Sequence, residues 1–565
     1  MKDIGRRRFI RRVPAALAAG AMGLSQVRSS AASGQQGARP GPGKDALKCA
    51  EQLVGLQFTD AEEEMAALAA SRNLDSYQAL RQLDIPLDTE PAITFRPYLP
   101  GKRPRGEATR NARIAVTGAA HVRVTSRLEE LAFEPVTVLS ALIENRSITS
   151  IDLTTMYLAR LKRYGDRLHC VVTLTEELAL AQAARADREL KGGRHRGPLH
   201  GIPWGAKDLF ATKGIRTTWG AKPYEHQVPA VDATVVERLR NAGAVLVAKL
   251  SMGSLAQGGV WFGGTTRNPW APETGSSGSS AGPGAATAAG LVGFALGTET
   301  RGSIITPASI CGVVGLRPTY GRVSRYGAMA LSWTMDKIGP ICRSVEDCAI
   351  ALNAIYGSDG RDETVVDAPF VWNPTVPLST LRIGYVAREL EGGLLKDALD
   401  VLRARGAKLE PMELPDFPTD AINFILSAEA AAAFDDLTRS KGIDELTEQG
   451  AAAWPNTFRT SRFIPAVEYI RAQRARTLLG RKMDALMSTY DVFLSPARGS
   501  ASLPITNLTG HPALCLTAGF VDDLPQALMI TGRLYDEATV LRVALAYERA
   551  TKWHTRHPDM NRVIG

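Results

Sequence analysis

The sequence lacks several patterns by which enzymes are often recognised. Its six cysteines form no C-x-x-C pair, and no His/Cys spacing resembles a zinc site. No lysine has a serine three positions earlier, which excludes S-x-x-K hydrolases, and no G-x-x-x-x-G-K-[ST] phosphate loop occurs. No run of roughly 20 apolar residues is present, so stable membrane insertion is not expected. We therefore expect neither a metal nor a cofactor.

The net positive charge is small outside the N-terminus. The formal net charge is +9, but residues 1–32 contain seven Lys and Arg against one acid, which leaves about +3 for the remaining chain. Such a small excess does not provide the basic surface that binding to nucleic acid requires. We expect no nucleic-acid partner.

The first 32 residues have the layout of an export signal. Residues 6–11 read RRRFIR and fit the twin-arginine pattern, residues 13–24 are mostly apolar, and residues 30–32 are small enough for cleavage. We predict a twin-arginine signal peptide over residues 1–32, the twin-arginine export machinery as a partner, and a periplasmic or secreted location. A disordered basic tail is the alternative interpretation.

The composition of the remaining chain predicts its organisation. Residues 33–44 are rich in Gly, Pro and Gln and predict a linker. Residues 45–125 combine helical periodicity with a Pro-rich stretch, which predicts a helical and extended N-terminal arm. From residue 126 to residue 565, helical and strand patterns alternate without a fixed repeat, which predicts one large α/β domain.

A Gly/Ser-rich segment is the first indication of chemistry. Residues 274–284 read TGSSGSSAGPG, residues 297–304 read GTETRGSI, and Lys207 lies upstream in a largely uncharged stretch. Acyl transfer needs a nucleophile, a base and donors for an oxyanion. A buried lysine can act as the base, because burial favours its neutral form. Lys207, a serine of the first segment, Ser303 and the backbone amides before Ser303 could supply these parts.

In these segments, and in the run CGVVGLRPTYGRVSR over residues 311–325, the chain resembles the amidase signature family. The resemblance extends from about residue 135 to 550. It implies an α/β fold with a single large mixed β-sheet surrounded by helices, and residues 126–565 as the catalytic domain. It also implies hydrolysis of a small-molecule carboxylic amide through a Ser-Ser-Lys triad and a covalent acyl-enzyme.

The resemblance assigns a role to each candidate residue. It makes Lys207 the base, Ser303 the nucleophile, and Ser279 the bridging serine that follows a non-trans peptide bond. Ser280 supports the relay. The oxyanion hole would consist of the backbone N–H groups of Thr300, Arg301, Gly302 and Ser303.

Two residues depart from the family's usual pattern. Arg301 stands where the family usually has Gly, and Glu299 stands where it usually has Asp. Arginine adopts the positive-φ conformations of glycine only at a cost, so the turn either avoids them at Arg301 or is strained. The arginine side chain could also narrow the substrate pocket.

Other functions stay open at this stage. Residues 278–282 match G-x-S-x-G, which would make Ser280 a nucleophile elbow, but residues 268–272 predict a loop where an elbow needs a strand. An exported amidase-like binding protein without activity is a second alternative. A glutaminase-type component of a tRNA-dependent amidotransferase is a third, although the predicted export argues against it. Trp261 and Phe262 suit either an aromatic acyl pocket or core packing, so the substrate is not determined.

Overall fold

The computed structural model describes residues 43–55, 57, 59–67, 82, 87, 93–99, 114, 127–392 and 394–564. The predicted signal peptide and most of the predicted linker therefore lie outside the described residues. The chain divides into two compact units, Met1–Leu83 and Asp84–Gly565.

In the first unit, helix α1 at Lys44–Val54 ends at Gly55, whose φ of 69° suits glycine at a helix C-terminus. The ammonium of Lys44 lies 3.1 Å from the carboxylate of Asp60 and 3.7 Å from that of Glu63. These contacts hold the helix against residues 60–67, which are also helical.

The second unit contains all the strands of the described residues. They are β1 Val171–Leu174, β2 Pro203–Lys207, β3 Val245–Leu250, β4 Val260–Trp261, β5 Gly264–Thr265, β6 Arg267–Asn268, β7 Ala271–Gly275, β8 Phe294–Glu299, β9 Val314–Arg317, β10 Lys337–Cys342, β11 Ile383–Val386, β12 Leu409–Met412, β13 Val492–Pro496, β14 Ala513–Val521 and β15 Leu524–Gly532.

The α-helices of the second unit surround these strands. They are α2 Val136–Glu144, α3 Ser150–Leu168, α4 Glu176–Lys191, α5 Thr234–Asn241, α6 Ala281–Ala288, α7 Ile305–Cys311, α8 Val345–Ile355, α9 Ala387–Leu390, α10 Leu394–Ala404, α11 Phe424–Ala433, α12 Asp435–Arg439, α13 Trp454–Ser461, α14 Ala466–Thr489, α15 Ser502–Thr509, α16 Glu537–Ala550 and α17 Asn561–Ile564. No helix of the described residues is both long enough and apolar enough to cross a bilayer.

Eleven strands form one mixed sheet in the order β1-β3-β2-β8-β10-β9-β14-β15-β13-β11-β12. Strands β3, β2 and β8 run parallel, as do β12, β11 and β13, while the remaining neighbours are antiparallel. The short pairs β4–β5 and β6–β7 lie outside this sheet. The prediction of a single large mixed sheet surrounded by helices is confirmed.

The register of the central strands positions the residues of interest. Trp204 of β2 pairs with Phe294 of β8, and Ala206 pairs with Leu296. Since the two strands are parallel, their C-terminal residues emerge at the same edge of the sheet. Lys207 at the end of β2 therefore lies beside residues 298–299 at the end of β8. Both strands are buried along their whole length, which keeps this edge rigid.

A segment of the predicted arm packs within this second unit. The ring of Phe95 contacts that of Tyr320 with centroids 5.2 Å apart, and Tyr98 stacks on Tyr535 at 5.0 Å. The indole N–H of Trp333 donates to the carbonyl of Leu87 at 3.3 Å. These aromatic contacts fix residues 93–99 to the surface of the sheet-and-helix body.

Candidate active site

Lys207 ends a central strand and is completely buried. Its Nζ lies 2.8 Å from Oγ of Ser279, 3.1 Å from Oγ of Ser280 and 2.9 Å from Oγ1 of Thr298. The amine therefore contacts three hydroxyl groups, and no carboxylate of the described residues lies within hydrogen-bonding distance of it. Sequence reasoning anticipated the two serines but not Thr298, although this residue lies in the run that carries Ser303.

Burial lowers the pKa of Lys207 from 10.5 to about 7, and the negative charges of Asp336 and Glu299 oppose this shift only in part. A lysine with this pKa is largely neutral in weakly alkaline solution, as a base must be. The adjacent Asp208 does not reverse the effect. Its carboxylate accepts a hydrogen bond from the N–H of Thr218 at 2.8 Å and lies 3.6 Å from Nζ of Lys249.

The Gly/Ser segment reaches Lys207 as a tightly packed loop. The peptide bond between Gly278 and Ser279 is cis, in agreement with the expected non-trans bond. A Cβ added to Gly278 would lie 1.7 Å from the carbonyl oxygen of Gly258, so no larger residue fits there. Ser280 fixes the loop to β8, because its hydroxyl donates to the carbonyl of Thr298 at 3.1 Å and accepts from the N–H of Thr298 at 3.2 Å.

Ser303 lies in the turn between β8 and α7 and is partly accessible. Its carbonyl accepts a hydrogen bond from the N–H of Ser280 at 3.1 Å, which holds the turn against the Gly/Ser loop. Within the described part of the chain, no hydrogen bond joins the hydroxyls of Ser303 and Ser279. The four residues of interest, 207, 279, 280 and 303, are thus assembled through direct amine–hydroxyl contacts and one backbone contact between the two loops.

The backbone conformation of this turn shows whether Arg301 must adopt a positive φ. The positive φ, 126°, occurs at Gly302, while Arg301 is not among the residues with positive φ. The turn therefore avoids the conformation that would be costly for arginine. The side chain of Arg301 is exposed. Among the described residues, no acceptor is found for the backbone N–H groups of residues 300–303, which leaves these donors available to an oxyanion.

Glu299 anchors the helix that follows the turn. Its Oε2 accepts from the N–H groups of Ile304 and Ile305 at 2.8 and 2.9 Å, at the start of α7. Its Oε1 accepts from Arg317 at 2.8 Å and from the side-chain amide of Asn507 at 2.8 Å. Burial opposes ionisation, but the charge of Arg317 and these hydrogen bonds outweigh it and lower the pKa of Glu299. Both carboxylate oxygens of Glu299, which stands where the family usually has Asp, therefore have hydrogen-bond partners.

A pocket opens beside this cluster. Thr298, Thr300 and Leu209 form the wall on the side of Lys207. The rest of the lining is Ala256, Arg325, Tyr326, Ala328, Met329, Ala330, Leu331, Trp333, Asp336, Ile338, Arg361 and Asp362. No cluster of three or more potential metal ligands occurs in the described residues.

Two sequence interpretations change here. Residues 271–275 form strand β7, so the prediction of a loop across 268–272 is partly wrong. This strand pairs only with β6 outside the main sheet, so the Gly/Ser loop does not follow a central strand as an elbow would. Trp261 is buried and donates to the carbonyl of His169 at 3.1 Å, which indicates core packing.

Comparison with known proteins identifies the family. The family model described as Amidase matches residues 152–541. A relative from Roseiflexus sp. (strain RS-1), named as a glutamyl-tRNA(Gln) amidotransferase subunit, is 37% identical over 465 residues, which cover 73% of this chain and 95% of the relative. The chain therefore belongs to the amidase signature family and is an amidase-family hydrolase.

Solved structures agree with this assignment. The native peptide amidase from Stenotrophomonas maltophilia is 32% identical with a TM-score of 0.68, covering 76% of this chain and 99% of that chain. The glutamyl-tRNA(Gln) amidotransferase subunit from Thermotoga maritima is 28% identical with a TM-score of 0.63, covering 75% of this chain and 96% of that chain. The relatives thus include both peptide amidases and amidotransferase subunits.

Proposed function

We propose that this protein is an exported amidase that hydrolyses a linear carboxylic amide to a carboxylate and ammonia or an amine. The observation that carries the proposal is the contact between Nζ of Lys207 and Oγ of Ser279, in a buried environment that lowers the pKa of the lysine to about 7. A fully buried amine among hydroxyls, beside a pocket, suits general-base catalysis better than structural support.

The hydrogen bonds around the amine define the direction of proton transfer. A neutral lysine amine has two N–H donors and one lone pair. The hydroxyl of Ser280 already donates to the carbonyl of Thr298, so it accepts from Lys207. If the second N–H of the amine donates to the hydroxyl of Thr298, the lone pair of the amine faces the hydroxyl of Ser279. Ser279 can then pass its proton to Lys207 and take one from the nucleophile.

The proposed reaction proceeds in two stages. As Oγ of Ser303 bonds to the amide carbon, its proton moves to Ser279 and the proton of Ser279 moves to Lys207. The tetrahedral oxyanion is held by the N–H groups of residues 300–303, a type of interaction worth roughly 10²- to 10³-fold per donor. The proton returns to the leaving nitrogen as the C–N bond breaks, and water then hydrolyses the acyl-enzyme.

A panel of substrates tests the activity. Purified protein is assayed on aliphatic amides, aryl amides, peptide C-terminal amides, esters and glutamine. We expect at least one amide to be turned over, and Ser303→Ala to lower kcat by at least about 10³-fold. Ser440→Ala, at an exposed helix end, is the control and should retain full activity. A folded protein that turns over no member of the panel would support the inactive binding protein.

One alternative has a specific observation in its favour. The relative at 37% identity is named as a glutamyl-tRNA(Gln) amidotransferase subunit, so a glutaminase function within a larger assembly is the second candidate. Glutamine hydrolysis that appears only with added partner proteins would favour it. Amide hydrolysis by the isolated chain, with glutamine as a poor substrate, would favour the free-standing amidase.

The proposal that the protein is exported rests on its N-terminal sequence. Residues 6–11 carry the twin-arginine pattern, ahead of an apolar stretch and small residues. We propose that the export machinery recognises this segment and delivers the folded enzyme to the periplasm or the exterior. The small-molecule amide would then be encountered outside the cytoplasm.

A further inference from the structure

The pocket beside Lys207 contains four charged side chains, and each of them already has partners within the protein. They are Arg325, Asp336, Arg361 and Asp362. The charge of a substrate is recognised when an opposite charge in the site has no other partner, whereas a fully paired ion offers little to a ligand. The partners of these four side chains therefore indicate what the pocket can accept.

Arg325 and Asp362 neutralise each other. The carboxylate of Asp362 accepts from the N–H of Arg325 at 2.8 Å, from its Nε at 3.1 Å and from its Nη2 at 3.2 Å. Thr364 donates to the same carboxylate through its N–H at 3.0 Å and its hydroxyl at 2.6 Å. The guanidinium also donates to the carbonyl of Trp333 at 2.6 Å. Neither charge is left for a ligand.

Arg361 is held in the same way at the outer part of the pocket. Its Nη2 lies 2.5 Å from Oε2 of Glu237, and its Nε lies 3.4 Å from Oδ2 of Asp359. The guanidinium also stacks over the ring of Tyr326 at 4.3 Å. The guanidinium of Arg361 thus already interacts with two carboxylates and one aromatic ring.

Asp336 is the remaining charged group. Its Oδ1 accepts from the hydroxyl of Thr300 at 2.6 Å, and its Oδ2 accepts from the N–H groups of Leu331 and Ser332 at 2.8 and 3.0 Å. Both oxygens are therefore engaged by neutral donors, and no cation of the described residues forms an ion pair with this carboxylate. The pocket thus keeps an anion without a counter-ion but has no cation without one. Most of the remaining lining is apolar, with Leu209, Met329, Leu331 and Ile338 among it.

We propose that this pocket discriminates against amides whose acyl group carries a carboxylate, glutamine included. The inference rests on the proposed function, because it names the substrate class of the same site. It also separates this chain from a glutaminase, whose substrate carries a carboxylate. A carboxylate on the acyl group would lose its hydration without gaining an unpaired cation, because Arg325 and Arg361 are already paired.

Two amides of matched length test the selectivity: valeramide, and glutaramate with a terminal carboxylate. We expect kcat/KM for valeramide to exceed that for glutaramate by at least about tenfold, because desolvating an unpaired charge is costly. Equal or better turnover of glutaramate or glutamine overturns the inference.

Binding measurements keep the inference distinct from the proposed function. The affinity of Ser303→Ala for the same two amides is measured by calorimetry, which needs no turnover. Tighter binding of valeramide supports the inference even if hydrolysis fails. Equal or tighter binding of glutaramate overturns it even if neutral amides are hydrolysed. The proposed function itself fails only if the native enzyme cleaves no amide.

Removing one carboxylate should change the preference in a defined direction. In Asp362→Asn the charge of Arg325 loses its counter-ion, so we expect the ratio of kcat/KM for glutaramate over valeramide to rise by at least about fivefold. Glu237→Gln, at a partly exposed position, should raise it less, since Arg361 keeps Asp359. Asp444→Asn removes the carboxylate of a surface pair with Arg459 and should leave the ratio unchanged.

Thermal melting verifies that each variant is folded. If Asp362→Asn does not fold, Glu237→Gln decides the outcome, because its ion pair is partly exposed. An unchanged ratio in the folded variants would mean that these cations do not face the substrate, and the inference would be withdrawn.

Discussion

Three hydroxyl groups surround the amine nitrogen of Lys207, and within the part of the chain that the structure describes no carboxylate lies within hydrogen-bonding distance of it. This arrangement differs from a structural buried lysine in the same sheet. Lys249, on the neighbouring strand, lies 3.6 Å from Asp208 and donates to the carbonyl of Phe210 at 2.6 Å. Lys249 is thus paired with a carboxylate, whereas Lys207 contacts hydroxyl groups that can exchange protons. The contrast supports different roles for the two.

The lowered pKa of Lys207 predicts the pH dependence of the reaction. Protonation removes the lone pair that accepts the proton of Ser279, so kcat/KM should rise with pH through about 7 and level off above it. A pH–rate profile on a neutral amide measures this directly. Lys207→Arg should be inactive at every pH, because arginine stays protonated. A profile that is flat from about pH 5 to 9 would mean that this lysine is not the base.

Thr298 provides a second test at the residue scale. Its hydroxyl is 2.9 Å from Nζ of Lys207 and helps to orient the lone pair. Thr298→Val, which keeps the shape and removes the hydroxyl, should lower kcat by about tenfold or more, as expected when a positioning hydrogen bond is lost. Thr298→Ser should restore most of kcat. If Val and Ser variants have the same kcat, the hydroxyl does not orient the amine.

At the residue scale, the family resemblance names Lys207, Ser279, Ser280 and Ser303, because each motif fixes a residue type at one position. The structure brings these four residues together, and their catalytic roles stay predictions. The position of Thr298 beside them could not be predicted in the same way. Its contact depends on the register of β2 against β8, which the sequence of either strand alone does not determine.

At the scale of elements, the short helix α7 connects the turn that contains Ser303 to the core. Glu299 accepts from the N–H groups at its start, and Arg317 and Asn507 hold the other oxygen. A carboxylate at a helix N-terminus satisfies donors that have no partner within the helix. The position of the turn therefore depends on residues from three separate parts of the chain.

Glu299 consequently should control both stability and catalysis. Glu299→Ala leaves the buried charge of Arg317 without its partner, so we expect the free energy of unfolding to fall by about 3–5 kcal/mol. Denaturant unfolding measures this loss. Glu299→Asp, which restores the family's usual residue, should retain more stability than Glu299→Ala. Equal stability of the native protein and Glu299→Ala would exclude an anchoring role.

The periodicity of the sequence predicted the regular elements better than the irregular ones. The apolar run AVLVA at residues 244–248 predicts a strand, and β3 spans Val245–Leu250. The Ala/Leu/Glu-rich run at residues 175–190 predicts a helix, and α4 spans Glu176–Lys191. Strand β7 was missed because Pro272 reads as a breaker, whereas a strand of an isolated two-stranded pair tolerates proline at an unpaired position.

At the scale of the whole molecule, α/β alternation predicted the class but not the order of the strands. The sheet places β14 and β15 between β9 and β13, although they come last in the chain. This order depends on long-range packing that no local pattern encodes. The family resemblance, rather than periodicity, supplied the expectation of one mixed sheet.

At the scale of the whole molecule we also predict that the protein is exported. Replacing Arg6 and Arg7 by lysine keeps the positive charge but removes the twin-arginine pair. We expect the variant to remain in the cytoplasm, while the native chain is recovered from the periplasm or the medium, as measured by cell fractionation. Arg28→Lys, in the same segment but outside the motif, is the control. Cytoplasmic retention of the native chain would contradict the proposed location.

The site of covalent labelling tests most directly whether Ser303 is the nucleophile. A serine-reactive fluorophosphonate probe is reacted with the native enzyme, and the labelled peptide is mapped by mass spectrometry. We expect one label on Ser303, its absence in Ser303→Ala, and a much slower reaction in Lys207→Ala. A label on Ser280, or a rate that does not depend on Lys207, would contradict it.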